Sequence, residues 1–126
     1  MNCPFCAVEM PGVVLANDHA VAVYDGFPVT PGHSLIIPRR HMASFFEADR
    51  EERTALLDLL AEMRALVQRE HNPDGFNIGI NDGVAAGQTV MHLHIHLIPR
   101  YAGDTDDPRG GVRWIMPEKA PYWKRR

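Results

Sequence analysis

Short apolar runs at Val13–Ala16 and Ala20–Tyr24 flank the polar triplet Asn17-Asp18-His19, a pattern that predicts a β-hairpin. Residues 25–32 hold two prolines and two glycines and read as a loop. Residues 34–37 form a further apolar strand, ended by Pro38. The pattern then changes period. Leu56, Leu57, Leu59, Leu60, Met63, Leu66 and Val67 recur at helical spacing inside the charged stretch 49–71. This predicts one long amphipathic helix laid on a sheet by its leucine face. Asn72-Pro73-Asp74-Gly75 ends it. Residues 76–80 predict a strand, 81–88 a loop of small residues, and 90–98 a last strand stopped by Pro99. Beyond it no period is visible, and Trp114, Tyr122 and Trp123 are left for packing or an interface. Hairpin-linked strands with one main helix imply an α+β domain with an antiparallel sheet, spanning residues 1–126 as one unit.

Composition adds bounds. The 126 residues suffice for one ordinary core. The net charge of −3 gives no reason to expect nucleic acid or a membrane surface as partner. Lys124-Arg125-Arg126 reads as a solvated end. No apolar run approaches the roughly 20 residues of a membrane span. The first residues lack the charged start and long apolar stretch of a signal peptide, so a cytoplasmic location is expected. Cys3 and Cys6 are spaced as CxxC, and in a reducing compartment a structural disulfide is not expected. Zinc ligation, a redox pair and two idle thiols remain as readings of that spacing.

The chemistry concentrates in His92-Leu93-His94-Ile95-His96. Side chains alternate in a strand, so the three imidazoles share one face and Leu93, Ile95 and Leu97 the other. Packing does not ask for three histidines on one face, and histidine is not a favoured strand residue. The outer two lie about 13 Å apart by strand rise. One ion with bonds of about 2 Å does not collect both ends of such a line. A pair of them with outside ligands remains a metal reading. The other reading is nucleophilic and acid–base chemistry on phosphate, with a neutral imidazole held in one tautomer by a carbonyl. The loop Gly83-Val84-Ala85-Ala86-Gly87-Gln88-Thr89 offers backbone N–H groups, a carboxamide and a hydroxyl suited to phosphate.

These residues resemble the histidine triad (HIT) family of nucleotidyl hydrolases and transferases. His92-Leu93-His94-Ile95-His96-Leu97-Ile98 follows its signature of three histidines alternating with apolar residues. Pro31-Gly32-His33-Ser34-Leu35, Asn81-Asp82-Gly83 and Gly87-Gln88-Thr89-Val90 match as well. The ending Pro99-Arg100 is similar to the branch of the fragile histidine triad protein and bacterial dinucleoside polyphosphate hydrolases. The resemblance implies an antiparallel sheet of about five strands, one long helix and a short N-terminal helix, in a homodimer whose sheets join. It implies cleavage at the α-phosphate of a purine nucleotide, a dinucleoside polyphosphate above all. His94 would be the nucleophile, His96 would contact phosphate or the scissile oxygen, and His33 would lie beside them. Asp25 would hold ribose hydroxyls, Asn81, Gln88 and Thr89 would bind phosphate or leaving group, and Val23 and Leu35 would flank the purine. No catalytic metal is implied. Cys3, Cys6, His41 and His92 match a structural zinc set found in some bacterial members. A purine nucleoside phosphoramidase, or a nucleotide-binding signalling or adaptor protein with incidental turnover, is the alternative.

Overall fold

Asn17 builds the first turn. Its Oδ1 accepts the N–H groups of His19 (3.0 Å) and Ala20 (2.9 Å), a side chain standing in for backbone. The turn joins β1 (Val13–Ala16) to β2 (Ala20–Tyr24), paired antiparallel with a register shift between Val13 and Leu15. The computed structural model describes residues 3–6 and 12–124. After β3 (Ser34–Pro38) come α1 (Arg50–His71), β4 (Gly75–Gly79) and β5 (Ile95–Arg100). The five strands form one antiparallel sheet in the order β1-β2-β3-β5-β4. The expected short N-terminal helix lies outside the described residues, as do Arg125 and Arg126. Residues 3–6 form a turn, in which Cys6 N–H donates to the Cys3 carbonyl at 3.2 Å. Among the described residues no helix is long and apolar enough to cross a membrane.

Strand alternation separates two apolar faces. Ala20, Ala22, Ile36, Leu93, Ile95 and Leu97 are buried with Leu56, Leu59, Met63 and Val67 of α1. The alanines of β2 let the helix approach closely. Val21, Val23, Leu35 and Ile37 form a second cluster, with Phe5 and Val13 packed on it. The helix thus covers one face of the sheet and frees the other for a site.

Both ends of α1 follow from sequence. Asp49 accepts the Glu52 N–H at 2.8 Å while Glu52 Oε1 accepts the Asp49 N–H at 3.0 Å, a reciprocal cap. Asn72 ends the helix in the left-handed region at φ 49°, and Pro73 follows. The predicted leucine face needs one correction: Leu57 is 52% exposed, because the buried stripe runs Leu56, Leu59, Met63, Val67.

The histidine strand needs another correction, since it runs 95–100 rather than 90–98. Before Ile95 the chain bonds elsewhere, with Leu93 N–H donating to the Met42 carbonyl at 2.7 Å. Pro99 does not stop the strand. β3 pairs with β5 only as far as Ser34 opposite Leu97, and the Pro99 carbonyl accepts from Thr30 Oγ1 at 2.6 Å on that side. A residue's N and C=O point the same way in an antiparallel strand. The missing N–H of Pro99 therefore faces a side where no ladder bond is required.

Candidate active site

The register sets a row of side chains on the face away from α1. Val23 lies opposite Leu35, Leu35 opposite His96, and His96 opposite Gly79. The two residues expected to flank a purine thus neighbour His96, although both are buried in the second apolar cluster. Phe5 covers that cluster and meets the His94 ring edge-on, centroids 5.1 Å apart. Nothing in a lone aromatic between two cysteines signalled this contact.

Each histidine is held in one tautomer by its partners. The chain 25–33 turns on Gly32, whose φ of 89° and closeness to the His71 ring exclude a larger residue. This turn delivers His33, whose Nδ1 accepts the Val29 N–H at 3.2 Å. The proton of His33 therefore sits on Nε2, which donates to His96 Nδ1 at 2.9 Å. His96 Nδ1 is thereby the acceptor, and its own proton sits on Nε2. His94 is held in the opposite sense. Its Nδ1–H donates to the His92 carbonyl at 2.9 Å and leaves an Nε2 lone pair free. The rings of His94 and His96 are 5.1 Å apart. An imidazole with its Nε2 lone pair free thus stands beside a proton donor. Burial, before any other cause, pushes the His33 and His96 imidazoles below their usual proton affinity and keeps both neutral. His94 and His33 add to this effect at His96, while Asp25 opposes it at both rings.

His92 turns away from this pair. It is fully buried, and its Nε2–H donates to the Pro38 carbonyl at 2.8 Å. Its Nδ1 lone pair then faces Cys3 Sγ (3.4 Å), Cys6 Sγ (3.5 Å) and His41 Nδ1 (3.2 Å). Cys6 Sγ and His41 Nδ1 are 3.1 Å apart, and all four donor atoms lie within 4.8 Å of one another. Tetrahedral zinc with bonds of about 2.3 Å to sulfur and 2.0–2.1 Å to nitrogen has edges of about 3.3–3.8 Å. The donor chemistry and spacing fit that ion. A carbonyl on the far nitrogen of a ligating histidine commonly fixes its tautomer and ring orientation. Asp25, His33 and His96 also converge, with Asp25 Oδ2 3.4 Å from His33 Nε2. There the 2.9 Å contact between the imidazoles is already satisfied as a hydrogen bond.

The remaining expected contacts divide. Asp25 Oδ1 is taken by the Phe27 N–H at 2.8 Å, and its Oδ2 faces His33. Asn81 and Thr89 are exposed on the loop before the histidines. Gln88 is buried: its amide donates to the Ala43 and Val90 carbonyls, and its oxygen accepts the Gly83 N–H. Both of its N–H donors are spent on holding this loop, whose turn closes on Gly87 at φ 95°. What Gln88 presents is the loop's backbone, at the position where a phosphate contact was expected of its amide.

Known proteins share this fold. A HIT family protein of Bacillus anthracis has a structure that superposes with a TM-score of 0.76 at 36% identity, covering 82% of this chain and 76% of that one. A Zn-bound histidine triad family protein of Mycobacterium smegmatis superposes with a TM-score of 0.75 at 32% identity, covering 85% of this chain and 81% of that one. The asymmetrical bis(5′-nucleosyl)-tetraphosphatase of Schizosaccharomyces pombe is 39% identical over 77 residues, 61% of this chain and 42% of the enzyme. The HIT domain model matches residues 9–103, which include the Pro31-Gly32-His33 turn and all three alternating histidines. The chain belongs to the HIT family.

Proposed function

We propose that the protein is a nucleotide hydrolase that cleaves at the α-phosphate of purine nucleotides, dinucleoside polyphosphates in particular, through a nucleotidyl-histidine intermediate. One observation carries the reading: His94 has its Nδ1–H fixed on the His92 carbonyl and its Nε2 lone pair free beside His96. The bis(5′-nucleosyl)-tetraphosphatase among its relatives supports the substrate class.

In the first half-reaction His94 Nε2 attacks the α-phosphorus and forms the P–N bond. The bond from phosphorus to the leaving oxygen breaks, and His96 Nε2–H protonates that oxygen. His96 Nε2 then carries a lone pair. In the second half-reaction that lone pair takes a proton from water as the water oxygen attacks phosphorus. The P–N bond breaks, a nucleoside monophosphate leaves, and both imidazoles return to their starting tautomers. His33 acts through His96, whose Nδ1 it holds as an acceptor. Asp25 would accept from ribose hydroxyls through Oδ2, since its Oδ1 is taken by the Phe27 N–H.

Zinc in the Cys3, Cys6, His41, His92 set would tie the N-terminal turn to the catalytic segment and take no part in the transfer. The zinc named for the mycobacterial protein supports this choice of metal. Among the described residues β4 has a partner on one side only, and joining two sheets through that free edge would give the homodimer. On this proposal the protein is a cytoplasmic enzyme without a membrane or nucleic-acid partner.

His94→Ala tests the mechanism. Hydrolysis of diadenosine tetraphosphate should vanish while AMP binding by calorimetry persists. Steady turnover by that variant would overturn the covalent route.

A further inference from the structure

The sheet face that carries His94 and His96 does not end at them. Two residues further along β5, about 6.6 Å by strand rise, Ile98 points the same way, with Asn77 opposite it on β4. Here the sheet borders a cavity of about 510 Å³, lined among others by Val29, Asn77, Ile98, Arg100, Asp104 and Trp114. That volume lies in the range of small-molecule sites, roughly 300–1,000 Å³. It is also joined to the histidines, because the Val29 N–H on its rim is the donor that fixes His33. It lies on the far side of His96 from the nucleophile. In an in-line displacement the leaving group departs opposite the attacking atom, so this is the side where it would go.

The cavity's chemistry selects the occupant. Its charges cancel within the protein. Arg100 donates to both oxygens of Asp104 at 2.8 Å and to Asn77 Oδ1 at 2.6 Å. Asp107 accepts from Arg109 Nε at 3.1 Å and Nη2 at 3.0 Å. No cation on its wall is left to bind phosphate, and the carboxylates disfavour one. What remains is apolar and flat. Trp114 is 41% exposed with its indole N–H tied to the Arg109 carbonyl at 2.7 Å, and Val29 is 68% exposed. An aromatic face held in place is a stacking platform for a base. Carboxylate oxygens at its edge accept from hydroxyl or amino groups.

We propose that this cavity binds the nucleoside of the leaving group, stacked on Trp114, while the polyphosphate between the two nucleosides stays at the histidines. The inference rests on the hydrolase reading above and narrows it to substrates with a nucleoside at both ends. It also gives the segment around Trp114 a role in specificity.

The test compares two substrates that share the transferred adenylyl group. Diadenosine tetraphosphate carries a second nucleoside, and adenosine 5′-phosphoramidate does not. Trp114→Ala removes the platform, and Val29→Trp fills the cavity from the opposite wall should the first variant fold poorly. Each should lower the ratio of kcat/KM for the dinucleotide over that for the phosphoramidate by about tenfold or more, the scale of one base–aromatic stack. An unchanged ratio in both variants, whether the two rates fall together or not at all, overturns the proposal. If the wild-type protein hydrolyses neither substrate, the hydrolase reading fails on its own, and calorimetric affinities decide the cavity. Trp114→Ala should then weaken diadenosine tetraphosphate about tenfold relative to AMP, and equal effects on the two ligands overturn the proposal.

Discussion

Two neutral imidazoles, buried His33 and half-buried His96, make stability depend on pH. Burial lowers the proton affinity of both below the usual value of 6.5. The hydrogen bond adds a reason at His96, since a proton on its Nδ1 would face the His33 Nε2–H across 2.9 Å. In the unfolded chain both rings protonate as pH falls through about 6.5. In the folded chain they resist until a lower pH. The unfolded state then binds more protons, so stability is full above about 6.5 and is lost as pH falls toward the folded values. Each resisting proton contributes about 1.36 kcal/mol per pH unit, and two contribute up to about 2.7. Zinc held by His41 and His92 would add its own acid sensitivity on release, so the informative quantity is a difference between proteins. Urea denaturation from about pH 7.5 to about pH 5 should give the wild type a slope steeper than that of His96→Gln, by up to about 1.4 kcal/mol per pH unit once the pH lies about one unit below 6.5. Equal slopes would refute the reasoning, because they would mean that His96 titrates alike in both states.

Two further outcomes follow from packing and metal geometry. Protein purified without an affinity tag should contain about one zinc per chain by metal analysis, as a closed four-ligand site requires. Cys3→Ser should lower that content and the Tm together, and a zinc-free wild type would leave the two thiols idle. Leu59→Ala opens a void between α1 and the sheet at a side chain with no exposure, and should cost about 2–5 kcal/mol in urea denaturation with an unchanged m value.

What could be read from the chain alone was what has a period. The hairpin, the third strand and α1 stand close to where the apolar pattern predicts, because each buries its face through its own repeat. Leu57 was misassigned by the same logic: a run of adjacent leucines does not say which lies on the stripe and which beside it. The pattern starts the histidine strand five residues too early because alternation at His92 and His94 continues while backbone pairing passes to Met42, a contact distant in sequence.

The site is legible in residue type and not in state. Three histidines of one kind, two apart, end in three different situations. His92 presents Nδ1 to two thiols because the Pro38 carbonyl, 54 positions away, takes its other nitrogen. His94 presents Nε2 because the carbonyl of His92 takes Nδ1. His96 presents an N–H because His33, itself set by the Val29 N–H, has filled its lone pair. Three of these four determinants are backbone groups: every residue carries a carbonyl, and every residue but proline an N–H. Only the fold decides which carbonyl meets which imidazole. The division of labour inside the triad is therefore a property of the sheet and its loops, written onto side chains that the sequence spells identically.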